Sequence, residues 1–339
     1  MANQPPRASS ERRDLGSKGG EGRVPSLLNV AHLHKQFGGI AAVQGISFAV
    51  DRGEIVGFLG PNGAGKSTTM RMIAGYLRPD AGTIDLGGVD VIARPRQAQS
   101  SIGYLPEGAP TYGDMTAGGL LKFVADMRLL NGSRRRQRFD RVIDNLQLAS
   151  VYNRPVETLS KGFKRRIGLA AAILDDPELL ILDEPTDGLD PNQKHAVRTL
   201  LQDISKDKAI LISTHILEEV EAICGRAIVV AEGRIVADAT PVELCRSSEH
   251  EGAIQIEVDA GDGERVREIL TRVRGIDRVE WFACGSVAEL TAFASGDGSI
   301  VEPAREAILD NQIRFFGFRR LEGRFDDVFR QLTQASRVH

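Results

Sequence analysis

A glycine-rich segment between an apolar run and a helical pattern constrains the fold of this 339-residue chain more than any other feature. The segment extends from Gly60 to Thr68 and matches G-x-x-x-x-G-K-[ST], and the apolar run Ile55 to Leu59 stands directly before it. Glycines let successive backbone N–H groups curl around phosphate oxygens, and the positive end of the following helix faces the same anion. The pattern therefore predicts a strand, a loop and a helix that together bind a nucleoside triphosphate.

Two side chains of this loop have specific predicted roles. Lys66 is expected to neutralise the β- and γ-phosphates, and Ser67 to offer its hydroxyl to Mg²⁺. The other expected nucleotide contacts within the loop are Gly60, Asn62, Gly63, Ala64, Gly65 and Thr68. The alternative is a glycine-rich turn that binds nothing, although the strand pattern before the loop favours a phosphate site.

Composition and charge give little support to several other classes of protein. Lys and Arg number 43 and Asp and Glu 46, so the net charge of −3 does not favour nucleic-acid binding. The three cysteines are an odd number without C-x-x-C spacing, which favours a reducing compartment over a disulfide framework or a zinc site. No apolar run approaches the roughly 20 residues that a membrane helix needs.

The N-terminal segment and the length of the chain suggest how it is divided. Residues 1–24 are polar and are predicted to form a disordered tail. Arg12-Arg13 fits a twin-arginine export signal poorly, because polar residues follow where an apolar region is required. Single cores stop growing near about 250–300 residues, so two folded units are expected, over residues 25–246 and 247–339.

Two further apolar runs end in chemically active side chains. Leu179–Leu182 is followed by Asp183 and Glu184, and Ile210–Thr214 is followed by His215. Such runs are typical of parallel strands that are buried on both faces. Because ligands of open α/β sheets bind beyond the carboxyl ends of the strands, we expect these side chains and the phosphate loop to converge on one crevice.

Beyond about residue 246 the order of elements becomes βαββαβ, which predicts a small ferredoxin-like α+β unit. The expected strands lie near residues 254–258, 279–282, 287–290 and 313–318, and the expected helices near 264–273 and 303–309. A last helix places four apolar residues on one stripe: Phe325, Val328, Phe329 and Leu332. Packing within the subunit is the main interpretation of this stripe, and contact with another subunit is the alternative.

An ordered series of motifs separates this chain from other proteins with such a phosphate loop. The segment Leu159-Ser160-Lys161-Gly162-Phe163 precedes a helical pattern, and Pro185-Thr186-Asp187-Gly188-Leu189-Asp190 follows Asp183-Glu184. A serine and free N–H groups at a helix start offer a second anion-binding end, although a simple helix cap is the alternative. Over Ser26 to Cys245 the chain resembles the nucleotide-binding subunit of ATP-binding cassette (ABC) transporters. The family signature is LSGGQ, and Lys161 and Phe163 replace its first glycine and its glutamine here.

The resemblance implies a fold, two ligands and a partner. The implied fold is α/β, an ABC cassette of the P-loop NTPase type: a RecA-like core with antiparallel β and helical subdomains, followed here by the α+β unit. ATP and Mg²⁺ are the implied ligands. Ser160 and Gly162 are expected to cover ATP that is bound to a second copy, so hydrolysis would require a head-to-tail homodimer.

The resemblance also implies individual roles. Asp183 would orient Mg²⁺, Glu184 would polarise the attacking water, and His215 would contact the γ-phosphate. Asp190 stands where the family communicates across the dimer. Phe37 stands where the family stacks an aromatic ring on adenine, although an isolated aromatic is otherwise a core residue.

One position departs from the family pattern. The loop that senses Mg²⁺ and water, and that contacts the membrane subunit, commonly carries glutamine, whereas this chain has Glu107. Glutamate can accept a hydrogen bond or ligate Mg²⁺, but it cannot donate as an amide does and it adds negative charge beside the phosphates. The segment Gly103–Glu107 and the additional C-terminal unit resemble the subgroup that drives ABC-2-type exporters.

The function implied is that of a Mg²⁺-dependent ATPase subunit that drives separate transmembrane permease subunits. Such a subunit would be cytoplasmic and peripheral on the inner face of the cell membrane, and no nucleic acid is expected as a partner. The first alternative is a non-transport ABC ATPase acting on ribosomes or DNA, which usually carries two cassettes or a long coiled coil. The second is a stand-alone P-loop kinase or switch protein, which would not need the block around Ser160.

Overall fold

A computed structural model describes residues 26–108, 112–296 and 298–335. The predicted disordered tail over residues 1–24, with Arg12-Arg13, lies outside the described residues. In the part of the chain that the structure describes, no helix combines the length and apolarity needed to cross a membrane.

The strands, in chain order, are β1 (Leu28–Phe37), β2 (Ile40–Val50), β3 (Ile55–Leu59), β4 (Ala81–Leu86), β5 (Val89–Asp90), β6 (Ile102–Leu105), β7 (Leu179–Asp183), β8 (Ala209–Thr214), β9 (Arg226–Ala231), β10 (Arg234–Ala239), β11 (Ile254–Asp259), β12 (Ile276–Cys284), β13 (Val287–Ala294) and β14 (Phe315–Arg320). The α-helices are α1 (Lys66–Ile73), α2 (Pro95–Gln99), α3 (Ala117–Met127), α4 (Gly132–Asn145), α5 (Lys161–Ile173), α6 (Pro191–Ser205), α7 (Leu217–Ile223), α8 (Pro241–Arg246), α9 (Gly263–Thr271), α10 (Val301–Asp310) and α11 (Phe325–Ala335).

The central sheet brings the predicted phosphate loop and the two other strand ends to one edge. Its strand order is β10-β9-β3-β8-β7-β6, and every neighbouring pair is parallel except β9 and β10. Strands β3, β7 and β8 are buried along their whole length, as continuous apolar runs require. Leu59 pairs with Thr214 and Asp183 with Ser213, so the three carboxyl ends lie side by side.

Antiparallel and helical parts surround this sheet. Strands β2, β1, β4 and β5 form an antiparallel sheet whose buried residues pack against one face of the central sheet, with Phe48 and Phe58 in ring contact. Helices α3, α4 and α5 contribute to a second apolar cluster that includes Leu121, Val142 and Leu169. The expected α/β fold with antiparallel β and helical additions is confirmed.

The C-terminal part forms a third sheet of order β12-β13-β11-β14, in which all neighbours are antiparallel. Helices α9 and α10 cover one face through a buried cluster that includes Val266 and Ile308. The predicted βαββαβ order is confirmed, although the last strand begins at Phe315 and ends at Arg320. The limits proposed between domains stay predictions.

Helix α11 returns to the part of the chain that holds the central sheet. Phe325 and Val328 are 2% and 3% exposed and belong to the same apolar cluster as Val229 of β9 and Leu244 of α8. The packing interpretation of this stripe is therefore confirmed. Several elements of the fold were not predicted from the sequence, among them strands β5 and β6 and helices α6, α7 and α8.

Candidate active site

The phosphate loop leaves β3 at Leu59 and enters α1 at Lys66. Gly65 has φ +100°, a left-handed conformation that favours glycine, and a β-carbon there would lie 2.4 Å from the carbonyl oxygen of Ala42. A β-carbon at Gly60 would lie 2.2 Å from the carbonyl oxygen of Val230. The glycines of the loop thus permit close packing against β2 and β9, which fixes the position of the loop.

A cavity of about 460 Å³ opens beside this loop. It brings together most of the residues predicted from the phosphate loop with the carboxylates of two other loops. The lining residues are Ala42, Asn62, Gly63, Gly65, Lys66, Ser67, Thr68, Glu107, Asp183 and Glu184. Carboxylates from two separate strand ends therefore meet the phosphate loop at one cavity.

Lys66 is the cation of this cavity. Its side chain is 8% exposed, and its ammonium donates to the carbonyl oxygens of Gly60 at 2.7 Å and Pro61 at 3.1 Å. Burial lowers the pKa of Lys66, and the nearby carboxylates of Glu184, Asp183 and Glu107 oppose that shift. A buried ammonium held mainly by carbonyl oxygens is suited to binding an anion that enters the cavity.

Glu184 follows β7 in an unusual backbone conformation. Its φ of +51° lies in the left-handed region, which is uncommon for residues other than glycine and is concentrated at functional sites. Its N–H donates to the carbonyl oxygen of Ser213 at 2.8 Å, which binds it to the neighbouring strand end.

The carboxylate of Glu184 is held on both oxygens. Oε1 lies 2.7 Å from Nδ1 of His215, and Oε2 accepts from the hydroxyl of Thr214 at 3.2 Å. The Glu184 side chain is 13% exposed, whereas that of His215 is 61% exposed. His215 is therefore placed beside the carboxylate without being among the residues that line the cavity.

Glu107 reaches the cavity from the loop after β6 and is exposed. Its main-chain oxygen accepts at 2.9 Å from Arg165, a residue of α5 that the sequence analysis did not identify. Arg165 is 4% exposed and also contacts the main chain at Asp183 and Glu184. The sequence signal that could have identified Arg165 is the pair of adjacent arginines within the apolar pattern of α5. A charged residue that is buried requires polar partners.

Ser160, Gly162 and Asp190 form a second group, and none of them is among the residues lining the cavity. Ser160 caps α5, its Oγ accepting from the N–H of Phe163 at 3.3 Å, and Asp190 caps α6 by accepting from the N–H of Gln193 at 2.9 Å. A β-carbon at Gly162 would lie 3.0 Å from the carbonyl oxygen of Gly188. The exposed helix start at Ser160 is thus packed against the loop that leads to Asp190.

Phe37 is placed at the end of β1 and is not among the residues lining the cavity. It is 47% exposed, and the ammonium of Lys35 lies 5.5 Å from the centroid of its ring. An exposed ring on this surface remains able to stack on a planar ligand, and its predicted role with adenine stays a prediction.

The donor atoms at the cavity fit Mg²⁺ that arrives together with a nucleotide. Ser67, Asp183 and Glu107 offer oxygen atoms, which Mg²⁺ prefers. In residues 26–108, 112–296 and 298–335 no group of three His, Cys, Asp or Glu side chains is arranged to hold a metal by itself. Mg²⁺ usually binds through one or two carboxylates together with phosphates and water, so this donor set is sufficient.

Known proteins share both the sequence and the fold. The model of the ABC transporter family matches residues 43–187. The chain is 33% identical to Nod factor export ATP-binding protein I of Ralstonia nicotianae over 316 residues, 93% of this chain and 95% of that protein. It is 32% identical to a solved ATP-binding subunit of an ABC transporter, with a TM-score of 0.62 over 65% of this chain and 92% of the other. A solved dimeric bacterial ABC transporter cassette, 20% identical, has the same fold with a TM-score of 0.59 over 63% of this chain and 98% of that one.

Proposed function

The chain belongs to the ATP-binding subunits of ABC transporters, and on that premise we propose how its own residues carry out ATP-driven transport. It is an ATP-hydrolysing subunit of the exporter type that works with separate membrane subunits. The main support for the roles of the individual residues is one cavity, which the phosphate loop lines together with Glu107, Asp183 and Glu184. A relative that matches 93% of the chain is named as an export protein, which favours transport over an action on ribosomes or DNA.

Binding of the triphosphate is proposed to depend on the phosphate loop and Lys66. Lys66, Ser67 and Thr68 line the cavity, so the positive end of α1 lies beside it, and Lys66 adds one full positive charge. Bringing this ammonium onto phosphate oxygens replaces carbonyl acceptors with charged ones, which form hydrogen bonds about twice as strong. Loss of the ammonium should therefore reduce the affinity for ATP itself.

Mg²⁺, when bound with the nucleotide, supplies positive charge that neutralises the phosphate oxygens. We propose that the hydroxyl of Ser67 and the carboxylate of Asp183 hold it, with Glu107 as a further oxygen donor. Asp183 is 3% exposed and is the last residue of β7, so the sheet holds its backbone at the edge of the cavity.

Glu184 is proposed as the general base that orients and polarises the attacking water. His215 and Thr214 each hold one oxygen of its carboxylate, which fixes the carboxylate plane at the cavity. A fixed carboxylate can accept a proton from a water molecule in line with the γ-phosphate. His215 is proposed to position Glu184 and to contact the γ-phosphate from its exposed side.

The second anion-binding end requires another copy of the chain. Ser160 and Gly162 stand at the start of α5 outside the cavity, so we propose that they cover ATP bound to a partner subunit. A solved bacterial cassette of the same fold is dimeric. Two nucleotides would then be enclosed between two copies, and closure would move the permease at the inner face of the membrane.

The variant Glu184→Gln tests the proposal. It retains the shape of the side chain but removes the base, so ATP turnover should fall by about 10²- to 10⁴-fold. ATP binding should persist, and light scattering in the presence of ATP and Mg²⁺ should detect a trapped dimer. Glu218→Gln is the matched control, because Glu218 is exposed on α7 and does not line the cavity.

Two results would contradict these roles. Unchanged turnover in Glu184→Gln would exclude Glu184 as the base. A nucleotide-loaded Glu184→Gln protein that stays monomeric, even with its permease in detergent, would exclude the enclosed dimer. Affinity purification of the tagged chain from detergent-solubilised membranes should recover a transmembrane protein, which tests the proposed location and partner.

A further inference from the structure

The buried guanidinium of Arg165 connects two loops of the proposed active site. Arg165 projects from α5, and a buried arginine requires acceptors for its five N–H groups. Its Nε donates to the carbonyl oxygen of Glu184 at 2.7 Å, and its Nη2 donates to the carbonyl oxygen of Asp183. Its Nη1 donates to the carbonyl oxygens of Pro106 at 2.8 Å and Glu107 at 2.9 Å. One planar group therefore contacts four main-chain oxygens on two loops.

These contacts bear directly on the backbone of Glu184. The left-handed conformation of this residue costs free energy and persists only where the surroundings enforce it. The sheet holds the N–H of Glu184 through Ser213, and Arg165 holds its carbonyl oxygen. With both peptide groups fixed, the direction of the Glu184 side chain is fixed as well.

The charge of Arg165 suits this position without blocking the carboxylates. Burial lowers the pKa of Arg165, and the carboxylates of Asp183, Asp187 and Glu184 oppose that shift. The hydrogen bonds described above go to main-chain oxygens, and the side chain of Glu184 instead contacts Thr214 and His215. Arg165 thus adds positive charge to the cluster while the carboxylate of Glu184 stays available at the cavity.

We propose that Arg165 is a positioning residue for ATP hydrolysis, which holds Glu184 in its left-handed conformation and couples it to the loop at Pro106 and Glu107. The proposal rests on the role of Glu184 given under the proposed function. It follows that a displacement of the Glu107 loop reaches Glu184 through this side chain. Arg165 itself need not touch the nucleotide.

The first experiment compares Arg165→Gln and Arg165→Lys with the unaltered chain. For Arg165→Gln we expect kcat for ATP hydrolysis to fall by about 100-fold, the loss that a misplacement of about 1 Å can bring. The Kd for a fluorescent ATP analogue measured without Mg²⁺ should not change, because Arg165 contacts no residue of the phosphate loop among its hydrogen bonds. Arg165→Lys should recover only part of the rate, since an ammonium lacks the planar fork. If Arg165→Gln does not fold, kcat and Kd of Arg165→Lys are compared with those of the unaltered chain instead.

Arg128→Gln is the matched control for the loss of an arginine that bonds to main-chain oxygens. Arg128 donates to the carbonyl oxygens of Gln99 at 2.6 Å and Ile102 at 2.9 Å, and its Nη1 lies 3.2 Å from Oδ2 of Asp175. None of these partners lines the cavity. We expect a lower melting temperature with a much smaller change in kcat. An equal loss of kcat in Arg165→Gln and Arg128→Gln would overturn the proposal, as would an unchanged kcat in Arg165→Gln.

A second measurement separates a positioning role from a general structural one. A double-mutant cycle combines Arg165→Gln with Glu184→Gln. Single-turnover rates are compared among the unaltered chain, the two single variants and the double variant. If Arg165 acts through Glu184, its removal should cost little further rate once Glu184 is gone. An equal loss in both backgrounds would overturn the inference. Full turnover in Glu184→Gln alone would instead contradict the proposed function, so the two failures can be distinguished.

Discussion

Replacing Gly60 with alanine tests whether the phosphate loop depends on its close contact with β9. A β-carbon at this position would lie 2.2 Å from the carbonyl oxygen of Val230 and 3.1 Å from the β-carbon of Ala64. Carbon and oxygen atoms in weak C–H···O contacts are about 3.3 Å apart. The new methyl carbon and the oxygen of Val230 would therefore have to separate by about 1 Å more. Val230 lies in a strand that pairs with β3 on one side and β10 on the other, so its carbonyl group cannot rotate away. The loop is the part that must move.

The expected effect follows from the size of that movement. A displacement of about 1 Å in a catalytic group can reduce the rate by about 100-fold, which corresponds to about 2.7 kcal/mol in the activation free energy. Added methyl groups in packed regions also reduce stability by about 1–3 kcal/mol. We therefore expect Gly60→Ala to lose ATP affinity and about 100-fold in turnover. The assay is steady-state release of phosphate, normalised to the folded fraction from a thermal melt, with nucleotide affinity from a fluorescent analogue.

Gly57→Ala is the control, in the strand β3 that precedes the loop. A β-carbon at Gly57 would lie 2.9 Å from Cγ1 of Val220 and 3.2 Å from Sγ of Cys224, which are side-chain atoms that can adjust. This variant should lose stability but keep most of its turnover per folded molecule. The reasoning is refuted if Gly60→Ala retains normal turnover, or if both variants lose the same factor after correction for folding.

Two further predictions concern buried polar groups. Burial raises the pKa of the Cys224 thiol from 9.0 to about 12, so above pH 9 the unfolded chain loses this proton first and stability falls with rising pH. Chemical denaturation should show that Cys224→Ala removes a slope of up to about 1.4 kcal/mol per pH unit, and neutral-pH thiol labelling should modify the exposed Cys284 but not native Cys224. The ammonium of Lys194 lies 3.1 Å from Glu219, and the two side chains are 28% and 3% exposed. Lys194→Met should therefore lower stability by about 3 kcal/mol, more than Glu219→Gln at about 1 kcal/mol, because only the former leaves a buried charge unpaired; thermal melts would contradict this if the order were reversed.

The sequence predicts the parallel core because β3, β7 and β8 are continuous apolar runs, and β7 and β8 end in polar residues. Leu179–Leu182 has this form and occupies the interior of the sheet as expected. Strand β6 was missed because it has only four residues and its sequence lacks such a run. Helix α6 was missed although the sequence carries its signals: Asp190 supplies the N-cap, Pro191 the first position, and Val197, Leu200, Leu201 and Ile204 follow at helical spacing.

The same logic explains which parts of the candidate site could be predicted. The phosphate loop, Glu184 and His215 each follow a strand of the same parallel sheet, so their convergence follows from strand direction without knowledge of side-chain contacts. The left-handed backbone of Glu184 could not be predicted, because it depends on main-chain hydrogen bonds to residues distant in the sequence.

Arg165 illustrates what strand-end reasoning omits. A parallel sheet places the ends of β3, β6, β7 and β8 side by side, but hydrogen bonds between strands stop where the strands stop, so the loops beyond them need another source of order. A side chain from a helix that crosses these ends can supply that order, and Arg165 does so by bonding to the main chain of two loops at once. Because main-chain acceptors have no residue identity, no motif in either loop indicates the partner. The only sequence signal for Arg165 lies in α5, where a charged residue stands on the face of the helix that is otherwise buried. A charged residue in such a position needs partners and should be tested as part of the site.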